Sequence, residues 1–143
     1  MRLDKYKKLF TQLKIDSSIK KIKFIDAKNL PKISGVYIIY DKSRTIYVGQ
    51  GGGKKGIHGR FNPHHIKKAS GKSNSKSTND TTGWNEGRAK AWWDPDSWLI
   101  EYVEVKKHVI KTYLEGKLIL DLNPYANREC YKDRRGPTRR DIQ

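Results

Sequence analysis

Between residues 35 and 64 the chain gathers side chains that do chemistry: the phenols of Tyr37 and Tyr47, the guanidinium of Arg60 and the imidazole of His64. Further on, Glu115 is followed at plus three and plus four by Leu118 and Ile119, so its carboxylate is expected at the margin of a core. A carboxylate held at an apolar margin needs a partner, and a hard cation is a natural one. An ion pair with Lys111, one turn earlier, is the plain alternative. Hydrolysing a phosphodiester takes an activated water, positive charge on the phosphoryl oxygens and help for the departing alkoxide. These residue types can fill all three roles.

The elements that must position them are legible in outline. VYIIY at 36–40 and TIYVG at 45–49 are β-branched and aromatic runs separated by the polar residues DKSR, the pattern of an antiparallel hairpin. Side chains alternate faces along a strand, so Tyr37 and Tyr47 share a face only if the connection is odd in length or contains a bulge. A glycine-rich, basic connection, GQGGGKKG, then leads to Arg60. It fails the nucleotide-binding phosphate-loop pattern, because position 48 is Val and Lys54 is followed by Lys55. It reads as a flexible basic loop near a substrate backbone. Pro63 disfavours one continuous helix through Arg60 and His64, so the helix is expected to start at or after Arg60, with Asn62 as cap. The adjacent His65 points elsewhere on a helix and is expected in a surface or core role.

GVY at 35–37 and YVG at 47–49 resemble the two half-motifs of the GIY-YIG nuclease family, with Val in place of Ile in each. Arg60, His64 four residues later, Glu115 in a predicted helix and Asn127 after the LNP that closes it stand at family-like positions, so the resemblance covers about residues 30–127. It implies a small, mainly antiparallel sheet flanked by helices. It also implies that Tyr37 activates water, Tyr47 orients water or phosphate, Arg60 holds the scissile phosphate and His64 assists proton movement. Glu115 would bind one magnesium or manganese ion, and Asn127 would support the site.

Charge points to the same partner. The chain has 143 residues with 31 basic against 15 acidic, a net of +16. Residues 1–34 carry ten basic and three acidic residues and 35–69 carry seven against one, whereas 70–127 are balanced at eight each. Such an excess suits a polyanion, whose phosphates release counterions to Lys and Arg. Double-stranded DNA is the expected partner, with Lys54, Lys55, Lys67, Lys68, Arg88 and Lys90 as candidate phosphate contacts. No apolar run reaches the 18 or so residues of a membrane span, and no signal-peptide core follows the basic start, so a cytoplasmic, membrane-free protein is expected. The single Cys130 forms no internal disulfide, and nothing assigns an oligomeric state.

The flanks complete the plan. Leu3, Tyr6, Leu9, Phe10 and Leu13 recur at helical spacing opposite lysines, predicting an amphipathic N-terminal helix. KIKFID at 21–26 is a candidate extra strand. Residues 71–83 hold no apolar side chain and read as a mobile surface loop. Trp84, Arg88, Lys90, Trp92 and Trp93 interleave aromatic and basic residues, either as core or as base-stacking groups. SWLIEYVEV at 97–105 predicts a strand, and 106–122 a helix with Ile110, Tyr113, Leu114, Leu118 and Leu122 on one face. Gly116 beside Glu115 suggests close packing there. The reading is α+β: one domain over 1–143, a three-stranded sheet in a core at 30–127, a basic helix and candidate strand at 1–29, and a basic tail at 128–143.

Two competing readings use other residues. Pro95-Asp96 followed by Glu104-Val105-Lys106 resembles the signature of another nuclease family, PD-(D/E)xK, in which Asp96 and Glu104 would bind metal beside Lys106. Ordinary turn and solvent-side roles for these residues are preferred. A non-catalytic nucleic-acid-binding module explains the charge, but not the joint presence of Tyr37, Tyr47, Arg60 and Glu115.

Overall fold

A computed structural model of the chain describes residues 1–16, 18–71 and 79–127. Among these, four segments are strands: β1 (Lys20–Lys23), β2 (Gly35–Tyr40), β3 (Thr45–Gly51) and β4 (Leu99–Glu104). They form one antiparallel sheet in the order β1-β4-β2-β3, one strand more than expected, because the KIKFID region does pair, along the outer edge of β4. Its exposed Lys20, Lys21 and Lys23 suit an edge strand, where charge deters pairing with further chains. β2 is central and all six of its residues are buried, which explains a nearly continuous apolar run in place of alternation.

The hairpin turn, residues 41–44, is even in length. Asp41 shapes it: its carboxylate oxygen accepts the N–H groups of Ser43 and Arg44, each at 2.8 Å. Pairing runs Tyr40↔Thr45 and then Ile39↔Tyr47, so Ile46 is a bulge. That extra residue restores the parity: Tyr37 opposes Gly49, and Tyr47 lies diagonally beside it on the same face.

Helices cover both faces. On one, a 3₁₀ turn (Arg2–Tyr6) leads into α1 (Lys7–Gln12), packing Leu3 and Phe10 on Val36, Ile38, Val48 and Val103. The buried Glu101 fixes this segment by accepting the backbone N–H groups of Arg2 and Leu3, each at 2.8 Å, and the Tyr40 hydroxyl. The opposite face is covered by a 3₁₀ turn (Phe24–Asn29) and by α2 (Gly56–Arg60), α3 (Ile66–Ser70) and α4 (Asn79–Arg88). Its core is aromatic, built from Tyr37, Tyr47, Phe61, Trp84 and Trp98. α5 (His108–Leu122) returns to the first face through Leu114 and Leu118 and ends at Asn123, whose left-handed φ of 49° is a common helix stop ahead of proline.

Several expectations are corrected by this packing. Tyr113 is 52% exposed, and Lys111 takes its place on the buried face of α5. A Cβ on Gly116 would meet nothing within 4 Å, so close packing does not explain that glycine. Helix α4 begins at Asn79, inside the expected loop, whose residues 72–78 lie outside the described ones. Trp84 is fully buried and Trp93 donates its indole N–H to Ala69 O at 3.0 Å, so these rings serve the core and not base stacking. Cys130 and the basic tail lie outside the described residues. No helix among them is long and apolar enough to cross a membrane.

Candidate active site

The two motif glycines have steric reasons. Gly35 lies against β4, where a Cβ would stand 2.2 Å from the Val103 carbonyl oxygen. Across from Tyr37, a Cβ on Gly49 would stand 2.5 Å from the phenol oxygen. The Tyr37 ring therefore lies across a bare backbone, 6.3 Å from the Tyr47 ring with planes 30° apart. Tyr37 is fully buried and Tyr47 is 6% exposed, so both phenols sit at the inner wall of the site.

Arg60 ends α2, and its guanidinium is coupled electrostatically to the phenols of Tyr37 and Tyr47. Shielding from water works against its charge, yet the two tyrosines outweigh that and hold the guanidinium above its ordinary range. Arg60 as a residue is exposed, a suitable placement for a group that must meet an anion.

The chain past Arg60 departs from the expected helix. α2 precedes Arg60 rather than starting there, and Asn62, ahead of Pro63, adopts φ −110° and ψ 100°. Proline disfavours helical conformation in the residue before it, which accounts for the break. The Asn62 side chain compensates by donating to the carbonyls of Ala27 and His58, at 3.1 and 3.2 Å. The turn that follows is wide: the Ile66 N–H reaches back five residues to Phe61 O. With this wider turn position 65, not 64, faces the Tyr37 hydroxyl.

His64 is accordingly exposed, and His65 is the imidazole of the site. Its Nε2 lies 2.6 Å from the Tyr37 hydroxyl, and its ring stacks on Trp84 at 5.4 Å and 19°. Burial pushes its pKa well below 6.5, with Arg60, Lys68 and His64 adding in that order, so the ring is neutral at pH 7. The family resemblance, which sets the imidazole four residues after Arg60, points to His64. The signal that could have found His65 was Pro63, since a broken helix does not keep a four-residue period.

Glu115 comes to the same strand from the other sheet face. It is half-buried on α5, and one of its carboxylate oxygens accepts the Gln50 side-chain N–H at 2.9 Å. Gln50 sits between Gly49 and Gly51 on β3. Lys111 makes its hydrogen bond elsewhere, to the Gly51 carbonyl at 3.3 Å. The edge of β3 thus carries the tyrosine, arginine and histidine cluster on one side and the carboxylate on the other. Asn127 secures that edge: its side-chain amide accepts from Val48 N at 2.8 Å and donates to Val48 O at 2.9 Å, completing the ladder where, among the described residues, no further strand pairs.

The remaining candidates divide by exposure. Lys54 and Lys55, in the turn before α2, are exposed, as are Lys67 and Lys90. Lys68 is buried, and the Arg88 guanidinium is committed to the Lys68 carbonyl and the Asn85 side chain, so neither presents a free surface charge. Asp96 precedes β4 and Glu104 ends it, both exposed; the strand alone spans roughly 17 Å. They cannot share one cation, which removes the PD-(D/E)xK arrangement.

Among the described residues no group of three or more His, Cys, Asp or Glu side chains could hold a metal ion. The single half-buried carboxylate of Glu115 fits magnesium, which keeps several waters and takes one or two carboxylates plus substrate phosphate. It does not fit a closed zinc site.

No protein-family model and no curated protein matches the chain. Among solved structures it is similar to the GIY-YIG N-terminal endonuclease domain of UvrC from Thermotoga maritima. A point variant of that domain bound to its catalytic divalent cation is 21% identical, with 72% of this chain and 91% of that chain covered and a TM-score of 0.44. The same domain bound to magnesium is 20% identical over 72% of this chain and 92% of that chain, again with a TM-score of 0.44.

Proposed function

We propose that the chain is a metal-dependent endonuclease of the GIY-YIG type that hydrolyses phosphodiester bonds in double-stranded DNA in the cytoplasm. The observation that carries this reading is the cluster in which His65 holds the Tyr37 hydroxyl at 2.6 Å and the Tyr47 ring lies 6.3 Å from that of Tyr37, with the Arg60 guanidinium coupled to both phenols. An exposed cation coupled to two buried phenols beside an aromatic core serves an incoming anion better than it serves that core, where apolar contacts would suffice.

In the proposed mechanism the phenolate form of Tyr37 takes a proton from the attacking water and becomes the phenol. A free phenol has a pKa near 10 and is a weak base at neutral pH. Two neighbours help here: His65 fixes the direction of the Tyr37 oxygen, and Arg60 stabilises the phenolate that accepts the proton. Tyr47 orients the water or the phosphate. Arg60 also binds the scissile phosphate and neutralises charge on its oxygens as they become more negative. Glu115 would hold one magnesium or manganese ion, which when bound supplies positive charge beside the leaving oxygen. Asn127 keeps β3, and with it Tyr47, in place.

The test is supercoiled plasmid incubated with the wild-type protein, with and without magnesium. Cleavage is expected only with the metal. Glu115→Ala should abolish it while duplex binding persists, and Arg60→Ala should lower it by about two to three orders of magnitude. Tyr37→Phe, which keeps the ring and deletes the oxygen, should be comparably severe. Salt-sensitive binding without any cleavage would instead make the chain a binding module.

A further inference from the structure

Lys111 is the buried charge that the roles above leave unused. It lies on α5 one turn before Glu115, is 6% exposed, and is aimed at the end of β3. Among the described residues its ammonium makes one hydrogen bond, to the Gly51 carbonyl at 3.3 Å, and no ion pair. An ammonium carries three donors, and burying one against a single neutral carbonyl is unfavourable unless an anion completes the site.

The glycine run at 51–53 is shaped around this group. A Cβ on Gly51 would stand 2.6 Å from Ile57 N, so the start of α2 fixes that glycine. On Gly52 a Cβ would stand 2.6 Å from Lys111 Nζ, so the ammonium occupies the space a side chain would take. Gly53 has a φ of +71°, which turns the chain back toward α2. Each glycine has its own reason, and the result is a bare turn over a buried cation, flanked by the exposed Lys54 and Lys55.

We propose that Lys111 and the turn at 51–53 form a second phosphate subsite, in which the Lys111 ammonium binds a DNA backbone phosphate neighbouring the one held by Arg60. This rests on the nuclease reading for the identity of the ligand, and on the buried ammonium for its place. An inner, desolvated cation grips a phosphate more strongly than the surface lysines and fixes the register of the strand across the tyrosine pair.

The test titrates ¹⁵N-labelled wild-type protein and Lys111→Met, first with inorganic phosphate and then with a duplex oligonucleotide in EDTA. The amides of residues 51–53 should shift in the wild type and stay still in Lys111→Met. Methionine keeps the stem and removes the buried charge, so Lys111→Met should unfold at the same or higher urea concentration. Its kcat/KM on plasmid should nevertheless fall about 100-fold, and Lys111→Arg should recover part of the loss. A structural lysine would give the reverse: lower stability in Lys111→Met with cleavage per folded molecule unchanged. Wild-type amides that ignore phosphate would also overturn the subsite. If the wild type never cleaves DNA but phosphate still shifts these amides in a Lys111-dependent way, the nuclease reading fails and the anion site stands. If the wild type cleaves and Lys111→Met cleaves equally well, the subsite alone fails.

Discussion

The Tyr37 hydroxyl and the Nε2 of His65 stand 2.6 Å apart inside a cage made by Phe61, Tyr47 and Trp84. The pair links the middle of the sheet to the far side of a broken helix, and it aligns only because the turn at Asn62 adds one residue between Arg60 and the imidazole. An imidazole so enclosed resists protonation, because the charged ring would lose its water and face Arg60 and Lys68.

This fixes the sign of a pH dependence. The unfolded chain protonates His65 near pH 6.5, whereas the folded chain does so only well below that value. The stability tied to the neutral ring is therefore complete above about 6.5 and is lost as pH falls toward the lower folded value. Urea unfolding of the wild type between pH 8 and 5 should show stability falling below pH 6.5 by up to about 1.4 kcal/mol per unit from this group. His65→Gln should lose that slope, and a variant that kept it would show that His65 is not the group responsible.

Two glycines should respond oppositely to a methyl group. At Gly49 the added carbon would stand 2.5 Å from the Tyr37 oxygen and 2.7 Å from the ring carbon that carries it, so the ring must move. Gly49→Ala should cost about 1–3 kcal/mol of overpacking and displace the hydroxyl from His65. At Gly116, mid-helix with nothing within 4 Å, alanine should stabilise by about 1 kcal/mol through helix propensity. Midpoints of urea unfolding for the two variants, moving in opposite directions, check both.

What could be read from residues alone follows how local the physics is. The hairpin is legible because its apolar runs and polar turn lie side by side in sequence; parity requires an odd connection or a bulge, and the structure resolves this as a bulge at Ile46. β1 was legible only as a candidate, since its pairing with β4 joins residues about 80 positions apart in sequence. The exchange of His64 for His65 depended on the width of one turn, which spacing rules for a regular helix do not contain. The buried side of α5 departs from its hydrophobic pattern at Tyr113: hydrophobicity favours the phenol, while the strand end beneath takes the ammonium of Lys111.

Asn127 should be a stability residue before it is a catalytic one. Its amide satisfies both backbone groups of Val48 on the free edge of β3, and removing it leaves a buried N–H and C=O unmade. Asn127→Ala should cost about 2–3 kcal/mol and speed exchange of the Val48 amide hydrogen by an order of magnitude or more. Asn127→Asp keeps an acceptor for Val48 N–H but loses the donor and adds a buried charge, so it should be no better. If Val48 exchange were unchanged in both variants, the edge would be held by something else.

The basic residues sort into two groups that a salt titration can separate. Lys54, Lys55 and Lys67 are exposed, whereas Lys68 is buried and Arg88 is tied to the Lys68 carbonyl and Asn85. Each lysine that neutralises one phosphate contributes about 0.9 to the slope of log affinity against log salt. Duplex binding measured by fluorescence anisotropy in EDTA, where cleavage is suppressed, should therefore show a shallower slope by about one unit for each of Lys54→Gln, Lys55→Gln and Lys67→Gln. The affinities lost should be similar for unrelated sequences, because phosphate contacts position the duplex without reading it. Lys68→Gln and Arg88→Gln should leave the slope alone and lower the unfolding midpoint, since what they lose is internal. Equal slope changes across all five variants would mean that exposure does not identify the phosphate surface.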